Sequence, residues 1–366
     1  MTELLFQEKI QNALNERKNK GNYRTLKAVG KFTDFFSNDY LGLSALKNEC
    51  KNTFYSPGSS RLIAGTTSAH LSVEEYLAHH FEGEAALLFN SGYVANLAVF
   101  STLAKKGDIV LYDEHIHASI KDGIRLSFAQ GIKFKHNDIK DLERLLTHHC
   151  GKNIFVAIEA LYSMEGVKSP LKEMIDLCQQ YQAKLILDEA HSGGTYGENG
   201  KGLSATLKNN DLIFLRVFTF GKAFGSHGAC VITSELVKDY LINFARPFIY
   251  TTAMPRFMVE DILLKVSSST IHERQKRLEE NIHFFINQFP KGFLKSDVNS
   301  PIQTVYFKSM DVFRKIENKS LTENLGVKAI YAPTVQEDKE RLRISIHAHN
   351  TKKELQKLSD LIKTID

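Results

Sequence analysis

Short apolar runs that alternate with longer helical stretches are the feature that most constrains the fold of this chain. The first of seven such runs begins near residue 85. The runs are EAALLF, DIVLY, IKFKH, IFVAIEA, KLILDEA, LIFLRVF and ACVIT. The intervening pieces, such as VANLAVFSTLAKKG and LKEMIDLCQQYQAK, have apolar residues at three- and four-residue spacing, which indicates crossover helices. This alternation predicts an α/β fold in which helices cover both faces of a mostly parallel, seven-stranded sheet.

The two ends of the chain depart from this pattern. Near the N-terminus, Leu4, Leu5, Ile10 and Leu14 are spaced as on an amphipathic helix. After residue 235 a helical stretch with a charged face replaces the strands, and the runs PIQTVYFK, VKAIYAP and RLRISIHA then precede a helix capped by Thr351. We therefore expect an N-terminal helix and arm (1–45), a large α/β domain (46–240), a helical bridge (241–285) and a small C-terminal α+β domain (286–366).

The composition argues against several classes of protein. The 366 residues are 43% hydrophobic and 24% charged, which is an ordinary globular balance. The net charge of +5 arises from mixed rather than clustered charges, so nucleic acid is not an expected partner. The four cysteines lack C-x-x-C spacing and the paired histidines at 79–80 and 148–149 diverge on a helix, so we expect no metal site. A charged N-terminal segment and the lack of a long apolar run predict a cytoplasmic protein without membrane insertion.

A carboxylate follows one of the central apolar runs. In LILDEAHSGG the predicted strand ends at Leu187 and Asp188 comes next, at the edge where open α/β sheets bind ligands. Such a carboxylate serves as a metal ligand, as a general base, as the partner of a protonated ring nitrogen, or as a loop cap. The residue pattern alone leaves these roles open.

A lysine among small residues follows another predicted strand. In FTFGKAFGSHGA, Thr219, Gly221 and Lys222 come after an apolar run, and glycines on both sides of Lys222 leave room for a bulky group next to its amine. A single lysine in a loop is usually a solvated surface charge. Its position after a strand of the same predicted sheet as Asp188 favours a functional role.

Two more connections between a strand and a helix carry polar residues. In LLFNSGYVANLAV, residues 90–93 open an apolar helix, so that backbone N–H groups form a cradle suited to phosphate, although a plain turn has the same pattern. In YDEHIHASIKDG, His117 lies between a predicted strand and a helix. A histidine so placed is more often packed or exposed than catalytic.

Eight ordered motifs between about residue 30 and residue 350 extend this set, and they are SNDYLGLS, GSSRLIAGTT, NSGYVAN, HAS, SMEG, DEAHSGG, TFGKAFG and PFIYTTAMP. Together they resemble the α-oxoamine synthase family of fold-type I pyridoxal 5'-phosphate (PLP) enzymes, most closely its 8-amino-7-oxononanoate synthase branch. The resemblance implies the PLP-dependent transferase fold of type I, PLP as the cofactor, and acyltransferase activity.

The resemblance also implies roles for individual residues at the cofactor. Lys222 is implied to bind PLP covalently, Asp188 to pair with the pyridine nitrogen, and His117 to stack on the ring. His191 and Ser163 are implied to flank the phenolic oxygen. Of the roles left open above for Asp188, the resemblance thus implies that of partner to a protonated ring nitrogen.

The phosphate and the substrate are implied to bind other residues. The implied phosphate ligands are Ser91, Gly92, Tyr93, Thr219 and, from the partner subunit of a homodimer, the residue equivalent to Thr252. Asn38 and an arginine of RLRIS are implied to bind the substrate carboxylate. Arg341 and Arg343 share one face of that strand by period-two alternation, and we favour Arg343.

The implied reaction is a decarboxylative condensation of an amino acid with an acyl thioester. The motifs look most like those of enzymes that use L-alanine and pimeloyl-CoA or pimeloyl-carrier protein in biotin biosynthesis, with Arg24 a candidate for the distal carboxylate. 2-Amino-3-ketobutyrate CoA ligases, 5-aminolevulinate synthases and serine palmitoyltransferases share nearly all of them. An aminotransferase and a catalytically silent partner subunit are alternatives from other classes, and the retained cofactor residues argue against a silent subunit.

Overall fold

The computed structural model describes residues 2–20, 23–24, 32–46, 56–207, 210–307, 309–332 and 334–364. Its helices are α1 (Thr2–Asn19), α2 (Ser68–His80), α3 (Gly92–Leu103), α4 (Ala118–Ser127), α5 (Ile139–His148), α6 (Leu171–Gln180), α7 (Glu235–Phe244), α8 (Arg246–Ile249), α9 (Arg256–Val266), α10 (Ile271–Ile286), α11 (Met310–Thr322) and α12 (Lys352–Lys363). Its strands are β1 (Thr33–Asp34), β2 (Ala85–Phe89), β3 (Ile109–Asp113), β4 (Gln130–Phe134), β5 (Ile154–Glu159), β6 (Lys184–Asp188), β7 (Leu215–Thr219), β8 (Ala229–Thr233), β9 (Ile302–Val305), β10 (Leu325–Gly326), β11 (Lys328–Ile330) and β12 (Arg341–Ser345).

The seven predicted central strands form one sheet, in the order β2-β8-β7-β6-β5-β3-β4. Only β8 runs antiparallel to its neighbours β2 and β7, so the expected mostly parallel, seven-stranded sheet is confirmed. Strands β5 and β7 are buried along their whole length. This burial explains their continuous apolar sequences, because a strand covered on both faces has no solvated side.

Two apolar cores pack on the two faces of this sheet. Along β2, Leu87 and Phe89 contribute to one core, while Ala86 and Leu88 contribute to the other. Successive side chains of a strand point to opposite faces, so this division follows directly from the pleat. The helix α3 packs against the first core, and its apolar residues were the ones that predicted a crossover helix.

A smaller sheet, in the order β11-β12-β9, belongs to the C-terminal part of the chain. The predicted cap of the last helix is present, since Thr351 Oγ1 accepts a hydrogen bond from Glu354 N at 3.3 Å and Glu354 Oε2 accepts one from Thr351 N at 2.8 Å. The predicted helical stretch after residue 235 consists of α7, α8, α9 and α10, and residues 267–270 separate the last two. The small α+β unit expected from the sequence is therefore confirmed.

The N-terminal arm is joined to this C-terminal part. Strand β1 pairs in parallel with β10, and beyond it Ser345 N donates to Phe35 O at 2.8 Å and Ala348 N donates to Tyr40 O at 2.8 Å. These bonds place Asn38 and Tyr40 beside β12. Cys50 and the side chains of Leu4 and Leu5 lie outside the described residues. Among the described residues, none of the helices has the length and apolar character needed to cross a bilayer.

Candidate active site

A cavity of about 260 Å³ opens at the carboxyl ends of the central strands. Residues from β5, β6, the β7–β8 connection and the starts of α3 and α4 surround it. Its lining residues are Ser91, Gly92, Tyr93, Asn96, His117, Glu159, Asp188, Ala190, His191, Thr219, Gly221, Lys222, His227 and Gly228. The four polar motifs singled out in the sequence thus meet at one place, as expected for the carboxyl edge of a parallel sheet.

Lys222 reaches the cavity from the tight loop that joins β7 to β8. Ser226 N donates to Phe220 O at 2.8 Å, and Gly225 N donates to Lys222 O at 2.8 Å, so the loop closes on itself. Burial lowers the pKa of the Lys222 amine, and the carboxylates of Asp188 and Glu159 act in the opposite direction. A lysine with a lowered pKa loses its proton more easily, which suits a nucleophile or a base.

Asp188 ends β6, and both of its carboxylate oxygens accept hydrogen bonds. Oδ1 accepts from the backbone N–H of Ala190 at 2.9 Å, and Oδ2 accepts from Nδ2 of Asn96 at 2.7 Å. Asp188 is 5% exposed. A buried acceptor held in this way can pair with a cationic ring nitrogen through a charge-assisted hydrogen bond.

Two histidines of the predicted site line the same cavity. His117 is the N-cap of α4, and its Nδ1 accepts a hydrogen bond from Ser119 N at 3.3 Å. Nδ1 of the buried His191 lies 2.8 Å from the Tyr40 hydroxyl. Desolvation is the main cause that lowers the pKa of both rings, so the neutral forms are favoured.

The start of α3 forms the predicted anion cradle. Ser91 caps the helix by accepting a hydrogen bond from Val94 N at 3.3 Å, whereas the N–H groups of Gly92 and Tyr93 have no acceptor among the described residues. A Cβ on Gly92 would come within 2.4 Å of Thr219 Cγ2, so glycine permits the close approach of α3 and β7. Free N–H groups at a helix N-terminus bind anions such as phosphate.

The two arginines of β12 have different partners. Arg343 Nη2 donates to Asn38 Oδ1 at 2.9 Å, and its Nε donates to the carbonyl oxygen of Ser163 at 2.7 Å. Arg341 instead forms an ion pair with Glu165 at 2.8 Å. The charge of Arg341 is thus compensated by Glu165, whereas the hydrogen-bond partners of Arg343 are neutral, and binding of a substrate carboxylate by Arg343 stays a prediction.

Five predicted residues are not part of the cavity lining, and they are Asn38 and Arg343, described above, and Ser163, Thr252 and Arg24. Ser163 contributes its carbonyl oxygen to Arg343, and Thr252 accepts from Asn90 Nδ2 at 3.0 Å through its own carbonyl oxygen. Arg24 is exposed and donates to Thr334 Oγ1 at 3.2 Å. Their roles at the cofactor, at a partner subunit and at an acyl group stay predictions.

Asn96, Glu159 and Tyr40 are among the residues of the site that sequence reasoning missed. Asn96 lies four residues after Gly92, on the same face of α3, and this spacing was a usable signal. Glu159 ends β5 as Asp188 ends β6, so its place at the carboxyl edge was also readable. Tyr40 stands in a motif that is notable only for its family resemblance, and only the folded arm brings it to His191.

The residues of the cavity fit PLP. The free N–H groups at the start of α3 suit a phosphate, the carboxylate of Asp188 suits a pyridine N–H, and the amine of Lys222 suits an aldehyde. Glu159 adds a buried carboxyl whose Oε1 has no hydrogen-bond partner among the described residues. PLP-binding sites use this combination of a phosphate cradle, a ring-nitrogen partner and a lysine.

Comparisons with known proteins agree with this site. The family model "Aminotransferase class I and II" matches residues 31–362. The 8-amino-7-oxononanoate synthase of Emericella nidulans is 33% identical over 98% of this chain and 95% of its own length, and that of Hydrogenovibrio crunogenus is 38% identical over 89% and 85%.

Among solved structures, serine palmitoyltransferase from S. paucimobilis with bound PLP–myriocin has a TM-score of 0.88 at 25% identity, covering 99% of this chain and 98% of that one. The 8-amino-7-oxononanoate synthase of Francisella tularensis has a TM-score of 0.74 at 31% identity, covering 91% and 97%.

The cavity, its three anchoring groups and these similarities lead to one assignment. The protein is a PLP-dependent acyltransferase, and the cavity has the groups that PLP requires. The chain belongs to the α-oxoamine synthase family of fold-type I PLP enzymes.

Proposed function

We propose that this protein condenses L-alanine with a pimeloyl thioester, of coenzyme A or of carrier protein, to make 8-amino-7-oxononanoate for biotin biosynthesis. A bond forms between the α-carbon of alanine and the thioester carbonyl carbon, the thiol leaves, and the carboxylate of alanine departs as carbon dioxide. The observation that carries the proposal is that Lys222, Asp188 and His191 line one cavity. The Arg343–Asn38 pair lies behind this lining, since Arg343 also donates to the Tyr40 hydroxyl, which lies 2.8 Å from His191 Nδ1. Relatives named 8-amino-7-oxononanoate synthase, 32–38% identical, support this product, and the substrate pair is the one that the family resemblance implies.

Each residue has a defined task in this reaction. When bound, PLP supplies an electron sink for the charge left on the α-carbon. Asp188 holds a proton on the pyridine nitrogen, and Nζ of Lys222 takes the α-proton, since its lowered pKa favours the free amine. Arg343 and Asn38 hold the alanine carboxylate. His117, which lines the cavity, would stack on the ring and restrict its orientation.

A second candidate is supported by structural similarity. Serine palmitoyltransferase structures match with TM-scores up to 0.89, above the 0.74 of the 8-amino-7-oxononanoate synthase structure. Their sequence identity of 25–28% is lower than the 31% of that structure. We favour the alanine reaction, because sequence identity follows the side chains that select a substrate, whereas the TM-score follows the backbone that both activities share.

A panel of substrates separates these candidates. The PLP-loaded protein is incubated with alanine, glycine or serine, each with pimeloyl-, acetyl-, succinyl- or palmitoyl-CoA, and thiol release is measured beside a Lys222→Ala control. We expect lysine-dependent release with alanine and pimeloyl-CoA alone. Release with serine and palmitoyl-CoA would establish the second candidate, and amino-group transfer to a keto acid without thiol release would indicate an aminotransferase.

We also propose that the active protein is a homodimer in which Thr252 of each subunit reaches the phosphate site of the other. Residues 60 and 252 form a β-bridge, and the side chains near it include Ile63, 83% exposed, and Tyr250, 72% exposed. Apolar side chains this exposed are typical of a surface that a partner covers. Sedimentation should give twice the chain mass, and a monomer with full activity would refute the proposal.

The distal carboxylate of a pimeloyl group would bind Arg24 in this scheme. Arg24→Gln should then raise the KM for pimeloyl-CoA without changing the KM for alanine. Equal KM values in the variant and the wild type would remove Arg24 from the site and leave the reaction itself untouched.

A further inference from the structure

Three hydrogen bonds connect Asp188 with His117 through two intervening residues. Asn96 Nδ2 lies 2.7 Å from Asp188 Oδ2 and 3.1 Å from Ser119 Oγ, and Ser119 Oγ lies 2.8 Å from His117 Nδ1. The chain of contacts therefore runs from the partner of the pyridine nitrogen to the residue assigned to the cofactor ring. We propose that Ser119 and Asn96 are positioning residues that hold His117 in one tautomer and tie its orientation to that of Asp188.

The direction of each hydrogen bond in this relay is fixed from the Asp188 end. An amide nitrogen only donates, so the two hydrogens of Asn96 Nδ2 go to Asp188 and to Ser119. A flipped amide would set its carbonyl oxygen against the Asp188 carboxylate, which is repulsive. Ser119 Oγ thus accepts from Asn96, and its hydroxyl hydrogen is left to donate to His117 Nδ1.

The direction is fixed independently from the His117 end. The backbone N–H of Ser119 also donates to Nδ1 of His117, at 3.3 Å, and a backbone N–H has no other role than donor. Nδ1 is therefore an acceptor, and the hydrogen of the neutral ring is on Nε2. The Asp188 end and the His117 end of the relay therefore give the same direction for its hydrogen bonds, and neither argument assumes an orientation of the Ser119 hydroxyl.

Packing of α3 on α4 makes the relay possible and keeps water out of it. Ser119 is 0% exposed and Asn96 is 2% exposed. At Gly123 of α4, a Cβ would come within 2.8 Å of Phe100 Cβ and 3.1 Å of the Asn96 carbonyl oxygen, so glycine allows the two helices to approach this closely. Without competing water, a change at one link is felt at the next.

The relay matters for turnover, and this part rests on the proposed function. His117 orients the ring plane and Asp188 holds the ring nitrogen, so both fix the same cofactor. A rotated or wrongly protonated His117 imidazole would hold the cofactor ring less firmly. The plane of that ring would then be less well oriented toward the bond that must break. Ser119 is not itself among the residues that line the cavity, and so it acts through His117.

Ser119→Ala, Ser119→Thr and a control, Ser101→Ala, test the relay. Ser101 lies on α3, and its hydroxyl donates to Leu97 O within its own helix at 2.6 Å, so the control removes a hydroxyl outside the relay. The tautomer of His117 is read in the protein without cofactor by ¹⁵N NMR of labelled histidines, with His117→Gln to assign the signals. The kcat and the KM for the amino acid are then measured with PLP bound.

We expect a single Nε2–H tautomer in the wild type and in Ser119→Thr. In Ser119→Ala the backbone N–H at 3.3 Å still favours this tautomer, but it is a weaker donor contact than the hydroxyl at 2.8 Å, so the Nδ1–H tautomer should appear beside it. The kcat should fall about tenfold in Ser119→Ala with little change in KM, and recover in Ser119→Thr. An unchanged tautomer in Ser119→Ala, or equal changes in Ser101→Ala, would overturn the proposal. If no substrate pair is turned over by the wild type, the proposed function fails while the NMR result still decides the relay.

Discussion

Glu159 and Asp188 are register partners at the carboxyl ends of the adjacent strands β5 and β6. Both line the active-site cavity, and Glu159 is only 4% exposed. Burial raises the pKa of Glu159 well above its usual value, and the neighbouring Asp188 carboxylate raises it further. The charge of Lys222 and a hydrogen bond from the backbone N–H of His117 act in the opposite direction. Negative charge on Asp188 and burial thus both favour the protonated form of Glu159.

The raised pKa of Glu159 predicts a pH-dependent stability difference. Folding favours the protonated carboxyl, so its contribution is complete below the ordinary glutamate pKa of 4.5 and is lost as pH rises toward the higher pKa of the folded state. Glu159→Gln removes this dependence. Without cofactor, the free energy of unfolding of the wild type should fall relative to the variant by up to about 1.4 kcal/mol per pH unit above pH ~4.5. Denaturant titrations from that pH upward measure it, and parallel curves would contradict it.

Asp188→Asn tests the ring-nitrogen partner. Asparagine keeps the size and the hydrogen-bonding reach of the side chain but removes the charge that holds a proton on the pyridine nitrogen. We expect the kcat to fall about a hundredfold or more, while PLP still binds through Lys222 and the phosphate cradle. Asp360→Asn, on the exposed side of α12, is the matched control. A kcat within threefold of the wild-type value corresponds to a change in activation free energy on the order of 0.7 kcal/mol. Such a result would exclude Asp188 as the partner of the ring nitrogen.

The two arginines of β12 provide an internally controlled test of carboxylate binding. Lysine at position 343 retains the charge but loses the fork that reaches Asn38 and Ser163, so Arg343→Lys should raise the KM for the amino acid about thirtyfold, or ~2 kcal/mol. Arg341→Lys disturbs the ion pair with Glu165 and should change stability more than KM. Steady-state kinetics and thermal unfolding of both variants measure these effects. The reverse pattern would identify Arg341 as the ligand.

The contact between Gly92 and Thr219 predicts a rescue experiment. Gly92→Ala places a methyl group where it would meet Thr219 Cγ2 at 2.4 Å, which should move the start of α3 and weaken PLP binding. Thr219→Ser deletes that methyl group but retains the hydroxyl, so the double variant should recover much of the lost affinity. Fluorescence titration with PLP measures all four proteins. Equal losses in the single and double variants would show that the contact is unimportant.

The sequence predicted the central sheet well because burial on both faces leaves apolar runs that are hard to mistake, as in β5 and β7. Asp188 and Lys222 were found because each follows such a run. Asn96 and Glu159 escaped because their importance depends on what approaches them. The sequence could not decide between Arg341 and Arg343 for the same reason. Both lie on one face of β12, and only the loop that carries Glu165 distinguishes them.

Covalent attachment of PLP at Lys222 is the central claim of this account, and mass mapping tests it most directly. The PLP-loaded protein is reduced with borohydride, digested, and its peptides are analysed by mass spectrometry beside a Lys222→Ala control. We expect the reduced cofactor on the peptide that contains Lys222 and no labelled peptide in the control. A label on another lysine, or the same labelling in the control, would contradict the assignment.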